Sequence, residues 1–227
     1  MGKFYFVDSC YSPNSASGNR LWAMLKVLSE LNIETEVVYF TSNEQQSEAP
    51  HLDHIHFNYY WKRLNIKNSK LQILAYAFLY SHLFLRKLQQ GDVVYIYGCN
   101  ELLSHLVKKK GVKVYHERTE HPYVSKLKLL NMAKYLNACT KVEKLFVISR
   151  NLKTYFSSIG VASEKIEIIN MTVDRSRFYG LVKNPEERYI AYCGKATNNK
   201  DGVNILIKAF YYVSKEHPNV KLYIIGS

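Results

Sequence analysis

The sequence predicts an α/β fold: a Rossmann-like, mainly parallel sheet with helices on both faces, followed by the first βαβ of a second Rossmann-like domain. Three observations predict it. Short apolar runs at 4–7, 36–40, 92–97, 112–115, 144–148 and 166–169 alternate with amphipathic segments of helical period. Polar loops rich in Ser, Asn, Pro and Gly separate them. From Arg188 onward the chain then runs strand, loop, helix, strand, a complete βαβ unit that stops at Gly226-Ser227. The polar connector Asn184-Pro185-Glu186-Glu187 divides the chain into a first domain, 1–183, and the beginning of a second, 184–227.

The first strand ends at Asp8 and passes into the small-residue loop SCYSPNSASGN. Leu21, Met24, Leu25, Leu28 and Leu31 mark the apolar face of the helix after it, with Ser17 as N-cap and Arg20 in the first turn. The loop lacks GxGxxG spacing, so a nicotinamide or flavin site is not supported. Arg20 is a cation at the positive end of a helix dipole, which suits either a solvent-facing arginine or one that meets an anion.

Residues 59–90 are basic and aromatic. One helical face carries Leu71, Leu74, Ala75, Phe78, His82 and Leu85, preceded by Trp61, Lys62, Arg63, Lys67 and Lys70. This reads as a core helix with cationic ends or as a docking surface for anionic lipid. A third strong strand, DVVYIY, ends at Gly98-Cys99-Asn100, and Gly111 caps the helix that follows.

The strand at 112–115 delivers the loop HERTEHP, residues 116–122. In open α/β sheets ligands lie beyond the carboxyl ends of strands, so His116, Glu117, Arg118, Glu120 and His121 are well placed for a site. A metal set drawn from one short loop has no partner on another element, so no metal is expected. An ion-paired loop, with Glu117 or Glu120 neutralising Arg118, is the plainer reading. A further helix carries Leu129, Met132, Ala133 and Leu136. Ser149 caps the next one, with Gly160 as its stop.

In the closing βαβ unit, Lys195 and Lys200 flank the loop before a helix that opens at Asp201 or Gly202. Two cations beside helix N–H groups become favourable when an anion, most simply a diphosphate, lies between them. Two solvated lysines on a polar turn fit the same spacing.

Composition bounds the partners. The 227 residues are 47% hydrophobic, enough to bury a core, and 31 Lys and Arg against 19 Asp and Glu give a formal charge of +12. Such a chain is drawn to nucleic acid, an anionic membrane surface or phosphorylated ligands. No helix-turn-helix, zinc or RNP-like pattern accompanies the charge, so no specific nucleic acid is expected. The four cysteines, Cys10, Cys99, Cys139 and Cys193, form no CxxC pair and read as free thiols of a reducing compartment. Without an evident signal peptide, the expectation is a cytoplasmic chain, soluble or peripheral on the inner face of the membrane.

The segment GKATNNKDGVNILIKAF resembles the start of the donor-binding domain of family-4-type glycosyltransferases with the GT-B fold. Gly18 and Arg20, His116 and Glu117, and Val173, Asp174 and Phe178 are similar to further family segments in the same order. Asp201 departs from the pattern by standing between Lys200 and Gly202, and Met171 and Thr172 replace the family's Asn-Gly. The resemblance implies a retaining, metal-independent transferase of hexosyl type, moving a sugar from a nucleotide-sugar to a glycan or lipid-linked acceptor in surface polysaccharide synthesis. It implies that Lys195, Lys200, Gly18 and Arg20 bind the donor diphosphate and that His116, Glu117 or Glu120 faces the reacting sugar. No cofactor is implied. The family's donor domain continues with a pair of glutamates that this sequence does not reach. The chain alone is therefore expected to transfer little, and the part beyond Arg188 to be poorly stable. A non-enzymatic acceptor-binding or membrane-binding domain is the alternative.

Overall fold

The computed structural model describes residues 2–8, 16–39, 51–59, 83–97, 107, 110–121, 140–172, 174–180, 187–194 and 201–226. The chain divides into two units, Met1–Asp174 and Arg175–Ser227. The basic-aromatic residues 60–82, the turn Gly98-Cys99-Asn100, the helix expected at Leu129–Leu136 and the loop from Lys195 to Lys200 lie outside the described residues.

The first unit is built on seven parallel strands, β1 (Phe4–Asp8), β2 (Thr35–Tyr39), β3 (Ile55–Tyr59), β4 (Val93–Tyr97), β5 (Lys113–Arg118), β6 (Lys144–Val147) and β7 (Ile166–Ile168), in the order β3-β2-β1-β4-β5-β6-β7. The order reverses between β1 and β4, where Phe4 pairs with Val93 and Val7 with Ile96. Such a reversal opens a crevice at the carboxyl edge, because the connections on either side leave in opposite directions.

Alternation along each strand divides the apolar side chains between two faces. On one face Phe6, Val37, Ile55, Tyr95 and Tyr97 pack with Leu21 and Leu25 of helix α1 (Ala16–Glu30). On the other, Tyr5, Val7, Val38, Val94, Ile96, Val114, Leu145 and Val147 pack with Leu152 and Phe156 of helix α2 (Arg150–Ser158). Because both faces are covered, the strands read as near-continuous apolar runs, which is why sequence locates most of them.

Local chemistry sets the helix ends. Asn32 takes a left-handed φ of 54° after α1, and the Ile33 amide donates back to the Leu28 carbonyl at 2.9 Å. Ser149 caps α2, its Oγ accepting from the Leu152 amide at 3.3 Å, and Gly160 turns the chain at φ 105°. Helix α1 begins at Ala16, a residue before the expected cap. Strand β3 is not among the strands expected from sequence, although Ile55, Phe57 and Tyr59 alternate with His56 and Asn58 at strand period.

The second unit is a βαβ of β8 (Tyr189–Cys193), helix α3 (Val203–Glu216) and β9 (Lys221–Ile225), the strands parallel. Gly202 holds φ 70° at the helix start. Its burial is sparse: Val203 is covered, while Ile205 is 73% and Tyr212 67% exposed. Among the described residues no helix is long and apolar enough to cross a membrane.

A two-stranded sheet with one helix is marginal by itself, so the second unit should unfold before the first. Urea titration followed by limited proteolysis should cut within Tyr189–Ile225 first and leave a resistant product ending near Asp174. A single coincident transition for both units would contradict this.

Candidate active site

The carboxyl edge of the sheet gathers the ends of β1, β4 and β5. Strand β5 continues to Arg118, so His116 and Glu117 are strand residues and not members of a loop with Glu120. Pairing with Tyr97 and with Leu145 and Phe146 extends the ladder through them. Consecutive strand residues point to opposite faces. His116 therefore shares a face with Val114, while Glu117 turns towards α1 with Tyr115. This splits the sequence cluster: His116 and Glu117 are fully buried on opposite sides, and Glu120, beyond the strand end, is exposed.

Arg20 is also fully buried, and it meets Glu117. Its Nε donates to Glu117 Oε1 at 2.6 Å, with neither side chain reaching solvent. Nη1 donates to the Asn170 carbonyl at 2.9 Å and to Thr172 Oγ1 at 3.3 Å, and Nη2 to the Ile169 carbonyl at 3.5 Å. The second carboxylate oxygen of Glu117 accepts from the Tyr95 hydroxyl. The anion that a cation near the start of α1 calls for is thus a glutamate 97 residues away. Neither a solvent-facing Arg20 nor a Glu117–Arg118 loop pair describes the fold.

Tyr95 stacks on Phe6, ring centroids 5.0 Å apart, and on Phe146 at 5.8 Å. Burial, and next the neighbouring Glu117 carboxylate, push the Tyr95 phenol well above its ordinary value, so it remains a donor. Gly18 lies buried in the first turn of α1, two residues from Arg20. Two turns along α1, Lys26 Nζ meets Asp174 Oδ2 at 2.5 Å.

In the second unit, each strand is followed by a glycine, Gly194 after β8 and Gly226 after β9. The Gly194 amide donates to the Ile225 carbonyl at 2.9 Å, and a Cβ on Gly226 would stand 1.9 Å from the Gly194 carbonyl oxygen. The backbones therefore close tightly at the edge from which residues 195–200 depart. Asp201, the departure from the family pattern, accepts from the Tyr192 hydroxyl at 3.0 Å and ties the far end of that loop to β8. Lys195 and Lys200 themselves lie outside the described residues. Among the described residues no group of three or more His, Cys, Asp or Glu side chains is arranged to hold a metal ion.

The fold is that of the Rossmann-like α/β class. Solved structures that share it include Anabaena HepE in complex with UDP and glucose, with TM-score 0.59 and 14% identity over 99% of this chain and 61% of that one. The N-terminal domain of Candida albicans trehalose-6-phosphate phosphatase gives 0.72 and 13% over 99% and 64%. The lipopolysaccharide outer core galactosyltransferase WaaB in its apo form gives 0.60 and 14% over 100% and 69%. The chain thus spans 61% of the HepE chain and 64% of the Candida domain, and at these identities the likeness is one of fold. No family model and no curated protein matches the sequence.

Removing one partner of a buried ion pair leaves the other charge uncompensated, so Glu117→Gln should cost about 3–5 kcal/mol in urea unfolding. Tyr95→Phe should cost about 1.5–3 kcal/mol, the range for a hydrogen bond to a charged group. The raised Tyr95 pKa adds a pH signature. Its stabilisation is complete below the ordinary tyrosine value and is lost as pH rises above about 10, where the unfolded chain releases the proton first. The gap between wild type and Tyr95→Phe should therefore narrow in alkali, and a gap constant with pH would contradict the assignment.

Proposed function

We propose that this chain belongs to a nucleotide-sugar-dependent glycosyltransferase, with residues 1–183 forming its acceptor-side domain and the βαβ unit opening its donor-binding domain. The observation that carries the reading is the fold likeness to solved chains that include WaaB, a galactosyltransferase, and HepE with UDP and glucose, over 99–100% of this chain. The parallel sheet open at its carboxyl edge supports it, as does the resemblance of 194–210 to a donor-domain opening.

In this reading Lys195 and Lys200 hold the donor diphosphate beside the start of α3. Cations and helix N–H groups there offset the charge that develops on the leaving diphosphate, the part a metal ion plays in other transferases. Gly18, in the first turn of α1, is the further residue we assign to the donor diphosphate. Of the three candidates for the reacting sugar, Glu120 is exposed and takes the direct contact, while His116 and Glu117 shape the strand end from within. Arg20, with all three nitrogens on the protein's own acceptors, acts by positioning, and a direct phosphate contact would require its pair with Glu117 to open. Transfer is with retention, and a surface glycan or lipid-linked acceptor is the substrate we favour.

Calorimetry with UDP-glucose tests this. Lys195→Ala and Lys200→Ala should each weaken binding about tenfold or more, the scale of one charge-assisted hydrogen bond. Added salt should weaken wild-type binding too. A variant at exposed His51 should bind as wild type does. Equal affinity in the lysine variants, or binding only to anionic vesicles with no response to nucleotide, would overturn the proposal.

A further inference from the structure

The segment after β7 is fastened in an unusual way. Residues 169–174 lead out of the first unit, whose last residue is Asp174. Among its described residues apolar burial is slight: Met171 is 48% exposed, and Asn170 and Thr172 are exposed as well. Nor does a ladder continue along them, for β7 ends at Ile168, with one further bond from the Ile169 amide to the Val147 carbonyl at 2.9 Å.

Two cations of α1 do hold them. Arg20 binds the carbonyls of Ile169 and Asn170 and the hydroxyl of Thr172. Lys26 meets Asp174 Oδ2 at 2.5 Å, with the carboxylate only 13% exposed. The two residues are six apart on one helix, close to two turns and about 9 Å of rise, so they grip both ends of the segment. Arg20 is itself fixed by the buried carboxylate of Glu117 on β5, which Tyr95 of β4 holds from its other oxygen. The grip therefore refers the segment to the centre of the sheet.

We propose that Arg20 and Lys26 form a two-point clamp on residues 169–174, so that the joint between the two units begins at Arg175. The described residues 169–172 and 174 are then fastened to the sheet of the first unit through α1, Glu117 and Tyr95. The inference does not rest on the glycosyl-transfer reading. Replacing Thr172 by Gly would remove one of the clamp's contacts, the Thr172 hydroxyl.

Hydrogen exchange read by mass spectrometry on the whole chain tests the clamp. Lys26→Ala should raise exchange at 169–174 about tenfold, an opening cost of one partly buried ion pair, and leave β4 and β5 as protected as in wild type. The double variant Arg20→Met/Glu117→Leu removes the buried charges together and so keeps the fold where either single change endangers it. It should raise exchange at 169–174 further, and by more than in β4, where the Tyr95 hydroxyl loses its acceptor. Lys26→Asp combined with Asp174→Lys should restore protection lost in either alone. Exchange at 169–174 unchanged in both the Lys26 and the double variant would overturn the clamp. So would an equal rise throughout the sheet, which reports general loosening.

Discussion

The first unit depends on one buried charge pair, Arg20 with Glu117. Each charge carries a desolvation penalty of several kcal/mol inside a protein, and neither side chain reaches solvent. The pair persists because it is hydrogen-bonded on every side: both carboxylate oxygens of Glu117 accept, and each of the three nitrogens of Arg20 donates. Such a network adds little net stability over an apolar substitute. It fixes geometry, because each partner tolerates few orientations. Helix α1, strands β4 and β5 and the segment leaving β7 share this one reference point.

That constraint separates buried from exposed acidic and histidine side chains at the carboxyl edge. Buried Glu117 and His116 face opposite sides of the sheet, and the exposed carboxylate beyond the strand is Glu120. In the second unit the tight close of β8 and β9 at Gly194 and Gly226, with the Tyr192–Asp201 hydrogen bond, sets the two ends of the lysine loop in the same manner. Asp201, a departure from the family pattern in sequence, has a structural use in its hydrogen bond with Tyr192 of β8.

Most of the fold was legible because parallel strands covered on both faces leave unbroken apolar runs, and because Ser149, Gly160 and Gly202 mark helix ends by local rules. Strand β3 was not read, although His56 and Asn58 at every second position are a strand pattern, because five residues give it only two polar steps. The extension of β5 through His116 to Arg118 was hidden for a related reason: polar residues at a strand end look like a loop until pairing with β4 and β6 is known. For the site, sequence located Arg20 and Glu117 separately and could not join them across 97 residues. A signal did exist. Arginine near a helix start, with no acid in the first turn of that helix, required an anion from elsewhere.

The most direct test of this account is the NMR resonance of the Arg20 Nε–H group in the whole chain, assigned by its loss in Arg20→Lys. A buried donor held at 2.6 Å by Glu117 Oε1 should give a sharp signal that exchanges slowly with water and moves or vanishes in Glu117→Gln. An Arg20 signal that exchanges as fast as those of exposed arginines, and is unmoved by Glu117→Gln, would show that the pair does not organise this fold.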